Sequence, residues 1–133
     1  MAIHIDSFQA LDLWRRAIIV SVRNAAPDLT ARQTAMLLAV YLMEPPHTVR
    51  GLVELLRISK PAVTRSIDRL SDLGLVDRRI DDGDRRSVLI QRTVRGSDFL
   101  RDFAELIVDA ARETATTAGD GQPAAMQGLP SEA

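Results

Sequence analysis

The sequence predicts a mainly α-helical fold with a small β-hairpin. Apolar residues recur at helical spacing in five segments between residues 6 and 117. Two short β-type runs, at 75–80 and 87–92, flank a loop that contains Gly83. Aromatic residues make up only 4% of the chain, which favours an aliphatic, helical core.

Length and composition exclude several classes of protein. A chain of 133 residues is long enough for one compact domain with appendages. The absence of cysteine excludes disulfides, cysteine-ligated zinc and thiol redox sensing. No apolar run approaches the ~20 residues of a membrane span, and the first residues lack the basic start of a secretory signal. We therefore expect a cytoplasmic protein without a membrane partner.

The first two helices are bounded by capping residues and prolines. Residues 6–25 form an amphipathic helix that Asp6 or Ser7 can cap, and Pro27 ends it. Thr30 caps the second helix, residues 31–44, which is apolar around most of its girth and therefore belongs in the core. The apolar stripe of the first helix consists of Phe8, Leu11, Trp14, Ile18 and Val22.

Two further helices follow, separated by a tight turn. Thr48 caps a short helix through residue 56, with leucines 52, 55 and 56 predicted to face inward, and residues 57–58 make the turn. Ser59 caps the fourth helix, with Pro61 in its first turn, where a missing N–H costs nothing. Its apolar stripe is Val63, Ile67 and Leu70, and Gly74 closes it in the left-handed conformation.

The hairpin of residues 75–92 and a last helix, residues 97–117, complete the predicted fold. A short helix, a turn, a second helix and a hairpin in this order make a winged helix-turn-helix, in which one helix enters the DNA major groove. The predicted parts are an N-terminal dimerisation helix (1–29), the DNA-binding domain (30–96), a C-terminal dimerisation helix (97–117) and a disordered tail (118–133).

The fourth helix carries the residues predicted to contact DNA. With its apolar stripe buried, its other sides present Lys60, Pro61, Thr64, Arg65 and Arg69. Arg65 can pair bidentately with guanine, and the Thr64 methyl group can touch thymine. The free N–H groups around Ser59 suit a phosphate oxygen. The alternative is a merely solvated helix face, and the concordant hairpin argues against it.

Arginines at the hairpin tip form a second predicted contact. Arg85 and Arg86 can point toward DNA, where a narrow minor groove attracts arginine. Asp81, Asp82 and Asp84 would repel phosphate unless paired, so they predict ion pairs that orient the arginines. The segment 57–95 contains ten cationic and six anionic residues, a net +4 in a chain whose total is -1. The positive charge is therefore local to the predicted DNA face.

These residues resemble the MarR family of transcriptional regulators. The resemblance covers about residues 30–103, and its most specific part combines the fourth helix, the strand start Gly-Leu-Val and the wing motif of Asp84 and Arg86. It implies a homodimer that binds a pseudo-palindromic operator in double-stranded DNA, usually as a repressor relieved by a small-molecule effector. It assigns DNA contacts to Ser59, Lys60, Pro61, Thr64, Arg65, Arg85 and Arg86.

The same resemblance implies how the wing is oriented and where this chain differs. Asp84 is implied to orient the wing arginines, and Asp68 to pair with Arg86. Arg92 stands where the family usually has leucine, so we expect the end of the second wing strand to be more exposed here. The C-terminal half is short, with one long helix in place of the usual pair.

Apolar residues of the two terminal helices exceed what a small winged-helix core needs. An isolated monomer would expose them as a patch, which soluble monomers avoid. We therefore expect the terminal helices to form a dimer. The residues concerned are Phe8, Leu11, Trp14, Ile18, Phe99, Phe103, Leu106 and Ile107.

Other functional classes are less well supported. No nucleophile with a base, Gly-rich phosphate loop or carboxylate pair on an apolar face is present, so we expect no enzyme and no cofactor. His4 and His47 are far apart in sequence, which favours incidental surface histidines over a metal site. Trp14, Phe8 and Phe103 suit ordinary packing better than a ligand pocket. The main alternative is a winged-helix protein-interaction module that does not bind DNA, but such a module has no need of a basic face.

Overall fold

The computed structural model describes residues 4–24 and 27–117, so the predicted disordered tail lies outside the described residues. The elements are α1 (Ser7–Arg23), α2 (Ala31–Leu42), β1 (His47–Thr48), α3 (Val49–Leu56), α4 (Lys60–Asp72), β2 (Val76–Asp81), β3 (Asp84–Arg92) and α5 (Val94–Thr117). This order confirms the mainly helical fold with a β-hairpin. Two compact units share the chain: residues 27–101 form one, and the segments before and after them form the other. Among the described residues, no helix is long and apolar enough to span a membrane.

Side-chain caps fix where the first four helices start, at the positions that the sequence predicts. The Thr30 hydroxyl accepts a hydrogen bond from the Gln33 amide, and the Gln33 side chain accepts one from the Thr30 amide. Asp6 and Gln9 form the same reciprocal capping box at α1. Each box satisfies two amides that the first helical turn would leave without partners. The far end of α2 is Leu42, two residues short of the predicted end.

The core of residues 27–101 is aliphatic. The predicted stripe of α4, Val63, Ile67 and Leu70, is fully buried. It packs with buried residues of α2, α3, the sheet and the segment before β2: Met36, Leu37, Val40, Leu52, Leu75, Val76 and Ile90.

One leucine predicted to face inward, and one in the helix predicted to lie in the core, are exposed instead. Leu42, the last residue of α2, is 76% exposed, and Leu55 of α3 is 47% exposed. The inward stripe of α3 runs through Val49, Leu52, Val53 and Leu56, at helical spacing, so Leu55 falls outside it.

The sheet has three antiparallel strands in the order β1-β3-β2. Strand β1 pairs His47 with Ile90 and Thr48 with Leu89, a pairing that the sequence did not predict. Strand β3 begins at Asp84, three residues earlier than predicted, so the hairpin closes tightly around residues 82–83.

The start of α5 is bonded to α2 and to the segment just before β2 through Tyr41 and Thr93. The Tyr41 hydroxyl accepts a hydrogen bond from the Thr93 amide (2.8 Å) and lies 2.6 Å from the Leu75 carbonyl oxygen, to which it donates. The Thr93 hydroxyl donates to the Gly74 carbonyl (2.7 Å) and accepts from the Gly96 amide (2.9 Å). Thr93 thereby caps α5, which begins at Val94 and not at the predicted residue 97.

Arg92 is exposed, as predicted, but its guanidinium is bound. Its Nε donates to the Val40 carbonyl (2.8 Å) and its Nη2 to the Met43 carbonyl (3.1 Å). The guanidinium carbon lies 5.9 Å from the centre of the Tyr41 ring. These carbonyls belong to the last turn of α2, where helical partners are missing, so Arg92 closes that helix.

The unit formed by the terminal segments has a buried carboxylate, Asp12. Its Oδ1 accepts from Arg15 (2.7 Å), and its Oδ2 accepts from Arg16 (2.9 Å) and from the Thr114 hydroxyl (2.9 Å). The hydrogen bonds from Arg16 and then Arg15 outweigh burial and lower the pKa of Asp12 to about 2. Arg16 also donates to Glu113, and its own pKa is raised, chiefly by the hydrogen bond to Asp12.

We expect Gly96→Ala to destabilise the protein. A Cβ at this position would lie 1.9 Å from the Tyr41 hydroxyl oxygen and 2.3 Å from the Leu75 carbonyl oxygen, so the junction must move. Such overpacking costs about 1–3 kcal/mol of unfolding free energy or more. Urea unfolding of the wild-type and variant proteins measures this loss of stability. Gly83→Ala is the control, because its Cβ would meet only ordinary contact at 3.5 Å, and an equal loss in both variants would contradict the packing argument.

We expect Asp12→Asn to reduce stability at pH 7 by about 2 kcal/mol, the value of a pKa lowered from 3.8 to about 2. Because the folded pKa lies below the unfolded one, this stabilisation is present above pH 4 and is lost as pH falls through about 2. Denaturant unfolding of both proteins between pH 7 and pH 3 should show the difference shrinking. Asp109→Asn, at an exposed ion pair, is the control and should show little difference at any pH.

Candidate nucleic-acid interface

The amino-terminal half of α4 is an exposed polar surface on a buried support. The Ser59 hydroxyl accepts from the Ala62 amide (3.3 Å), and Pro61 occupies the first turn, as the sequence predicts. Lys60, Pro61 and Arg65 are exposed and Thr64 is half-buried. Because Val63 and Ile67 are completely buried on the opposite side, these side chains cannot turn inward. Arg69 is also exposed, one turn further along the helix.

The turn before α4 depends on Arg57. This residue closes α3 in the left-handed conformation, with φ 55° and ψ 42°. Few non-glycine residues adopt that region, because Cβ crowds the following carbonyl. The Arg57 amide still donates to the Val53 carbonyl (2.9 Å), so the helix ends in an ordered turn. The sequence predicted a turn at residues 57–58 and no left-handed arginine.

A basic groove lies between α3, α4 and the β2–β3 hairpin. Its volume is about 750 Å³. Its charged lining residues are Arg50 from α3, Lys60 from α4, and Arg78, Asp84 and Arg86 from the hairpin. Four cations and one carboxylate line a single concave surface, which focuses positive potential toward a polyanion.

Two of these cations, Arg50 and Arg78, were not among the predicted site residues. Strand alternation gives a signal for Arg78, because it follows the buried Val76 by two residues and so shares its face. For Arg50 the signal is weaker: it lies in the first turn of α3, two residues after the capping Thr48.

Aspartates at the hairpin tip bind backbone amides, which corrects the predicted ion pairs. Asp81 Oδ1 accepts from the Gly83 amide (2.9 Å), and Asp84 Oδ1 accepts from the Arg86 amide (3.1 Å). Within residues 4–24 and 27–117, neither these carboxylates nor Asp82 form an ion pair. An amide two residues away is already held in place, whereas an arginine side chain would lose rotamer freedom on pairing. Asp84 therefore orients the backbone of Arg86.

Asp68 pairs with Arg78 and not with Arg86, the partner that the family resemblance implied. Both side chains of the observed pair are 45% exposed. The pairing follows from the strand face: Val76 is buried in the core, and Arg78 projects on the same side of β2. In the described part of the chain, Arg86 forms no ion pair.

The residues predicted for dimerisation differ in exposure. Leu11, Trp14 and Ile18 of α1 are 44%, 65% and 48% exposed. Phe8, Phe103, Leu106 and Ile107 are half-buried. Phe99, by contrast, packs against the aliphatic core of residues 27–101.

Comparisons with known proteins agree with this geometry. Residues 28–87 match the model of the MarR family. Similar solved structures include a MepR mutant from S. aureus (21% identity, 82% of this chain and 77% of that chain, TM-score 0.65). An E. coli MarR mutant shares 23% identity over 88% of this chain and 86% of that chain, with a TM-score of 0.62. A MarR transcriptional regulator from Methanosarcina mazei Go1 shares 25% identity over 84% and 77%, with a TM-score of 0.60.

Proposed function

We propose that the chain is a winged helix-turn-helix regulator of the MarR family, whose model residues 28–87 match, and that it binds specific sequences in double-stranded DNA and regulates transcription. The observation that carries the proposal is the basic groove, where Arg50, Lys60, Arg78 and Arg86 converge from α3, α4, β2 and β3. Phosphate neutralisation supplies much of the affinity of DNA-binding proteins, and a concave cationic surface beside an exposed helix suits it.

Sequence preference is assigned to the exposed side of α4. Arg65 and Thr64 lie in the amino-terminal half, the part of a recognition helix that reaches base edges. Ser59, Lys60 and Pro61 precede them, where the first amides of the helix suit a phosphate oxygen. Arg69 lies further from this end and is assigned a backbone contact.

The wing arginines are assigned to the DNA beside the major groove. Arg85 and Arg86 are exposed, and the Arg86 backbone is held by Asp84. An arginine placed in a narrow minor groove gains from its focused negative potential.

A homodimer is the proposed active form. The exposed apolar side chains of α1 lie on one helix face: Leu11, Trp14 and Ile18, followed by Val22 at 74% exposure. A second copy of the chain is the proposed cover for this face. Two-fold symmetry then places identical recognition helices in successive major grooves, so the operator is a pseudo-palindrome with half-sites ~10 bp apart. Repression relieved by a small-molecule effector completes the proposal.

Selection of bound sequences from a random duplex library tests the function. A selected inverted repeat supports the proposal, and challenge of that complex with candidate effectors tests the repressor scheme. Retention of all duplexes without preference, or of none, would favour the alternative protein-interaction module.

We expect Arg65→Ala to relax base preference at one position in each half-site and to cost about 1–3 kcal/mol per contact, because a bidentate guanine pair is lost. Arg86→Ala should instead weaken all sequences alike and reduce the salt dependence by roughly one phosphate contact. Binding titrations over a salt series with operator and random duplex separate the two effects.

Arg101→Ala is the matched control for those titrations, because Arg101 is exposed on α5 and does not line the basic groove. An Arg65→Ala protein with unchanged affinity and unchanged sequence preference would remove α4 as the element that contacts bases.

We expect a dimer at micromolar concentration and a shift toward monomer in Trp14→Glu, because a charge would be buried in the proposed interface. Sedimentation velocity measures the shift, and operator affinity should fall with it. Arg32→Glu introduces the same residue at an exposed position in the first turn of α2 and should stay dimeric. A monomeric wild-type protein would refute the proposed assembly.

A further inference from the structure

Asp68 places a negative charge on the side of α4 that is assigned to DNA. It follows Thr64 by four residues, so both lie on one helix face. Its side chain is 45% exposed. A carboxylate at this place repels approaching phosphates unless a cation neutralises it.

Arg78 supplies that cation. The Asp68–Arg78 pair is the single ion pair that joins α4 to the hairpin in the described part of the chain. Arg78 also lines the basic groove beside Lys60 and Thr64. Its guanidinium is thus placed between the recognition helix and β2, where it ties the two together.

Arg86 is left without a carboxylate partner. It lines the same groove, and within residues 4–24 and 27–117 it forms no ion pair. If Arg86 held Asp68, the carboxylate would offset its charge and occupy some of its N–H donors, and would so compete with a phosphate for both. The observed pairing removes this competition.

We propose that Arg78 is a positioning residue for DNA binding: it neutralises Asp68 and holds the hairpin against α4, so that Arg86 is available to the DNA. This inference rests on the proposed function. It assigns the two groove arginines different roles, with Arg78 acting through Asp68 and Arg86 acting on the nucleic acid.

The test uses neutral variants of similar size in the full chain, with affinity for the selected operator measured over a salt series. Arg78→Gln alone should weaken binding, about tenfold, because Asp68 is left uncompensated. Adding Asp68→Asn should restore most of the affinity and the wild-type salt slope. Arg86→Gln should lower the slope of the salt dependence of binding by about one. Adding Asp68→Asn to Arg86→Gln should change the binding free energy by the sum of the two single effects, because the two residues are not paired.

Arg79→Gln is the matched control, because Arg79 is the adjacent exposed arginine of β2 and, among the described residues, forms no ion pair. Circular dichroism confirms that each exposed-site variant is folded.

A double variant Asp68→Asn, Arg78→Gln that keeps a reduced slope would show that Arg78 contacts phosphate directly, and would overturn the proposal. Coupling of Asp68 to Arg86 instead would overturn it as well. A wild-type protein that selects no operator refutes the proposed function, whereas operator binding with independent Asp68 and Arg78 refutes only this inference.

Discussion

The Tyr41 hydroxyl holds together the segments on which the position of the hairpin depends. It bonds to Thr93 at the end of β3 and to Leu75 just before β2, so one side chain of α2 fixes both open ends of the hairpin. Gly96 permits this contact, because any side chain there would collide with the hydroxyl. Arg92 adds to the same junction by closing α2 from the end of β3. The outer end of the hairpin projects from this anchored base.

The positive charge of this protein is concentrated on one part of its surface. The chain as a whole is close to neutral, yet the groove between α3, α4 and the hairpin collects four cations. Near this groove, Asp68 is bound by a guanidinium, and Asp81 and Asp84 are bound by backbone amides. The guanidinium compensates the negative charge of Asp68, whereas the amides orient Asp81 and Asp84 and shape the hairpin tip without cancelling their charge.

Most element boundaries were predictable because they depend on neighbouring residues. Caps at Asp6, Thr30, Thr48 and Ser59 act within three residues, and Gly74 adopts the left-handed conformation that the sequence indicates. Strand β1 was missed, because two residues have no periodicity of their own and pair only through β3. The partner of Asp68 was wrong for a similar reason, since the choice among nearby arginines depends on which strand face turns toward α4. The hydrogen bond from Thr114 to the buried Asp12 joins residues that are 102 positions apart, so no local pattern indicates it.

Thr48 takes part in two structures at once. Its backbone pairs with Leu89 in the sheet, and its hydroxyl accepts from the Gly51 amide at the start of α3 (2.9 Å). The first turn of α3 is therefore fixed in position relative to the middle of β3. Because only the short turn at Arg57 separates α3 from α4, the position of α4 is fixed with it. The helices α3 and α4 and the hairpin form one mechanical unit, so a ligand or partner that displaces the hairpin base would displace α4 with it.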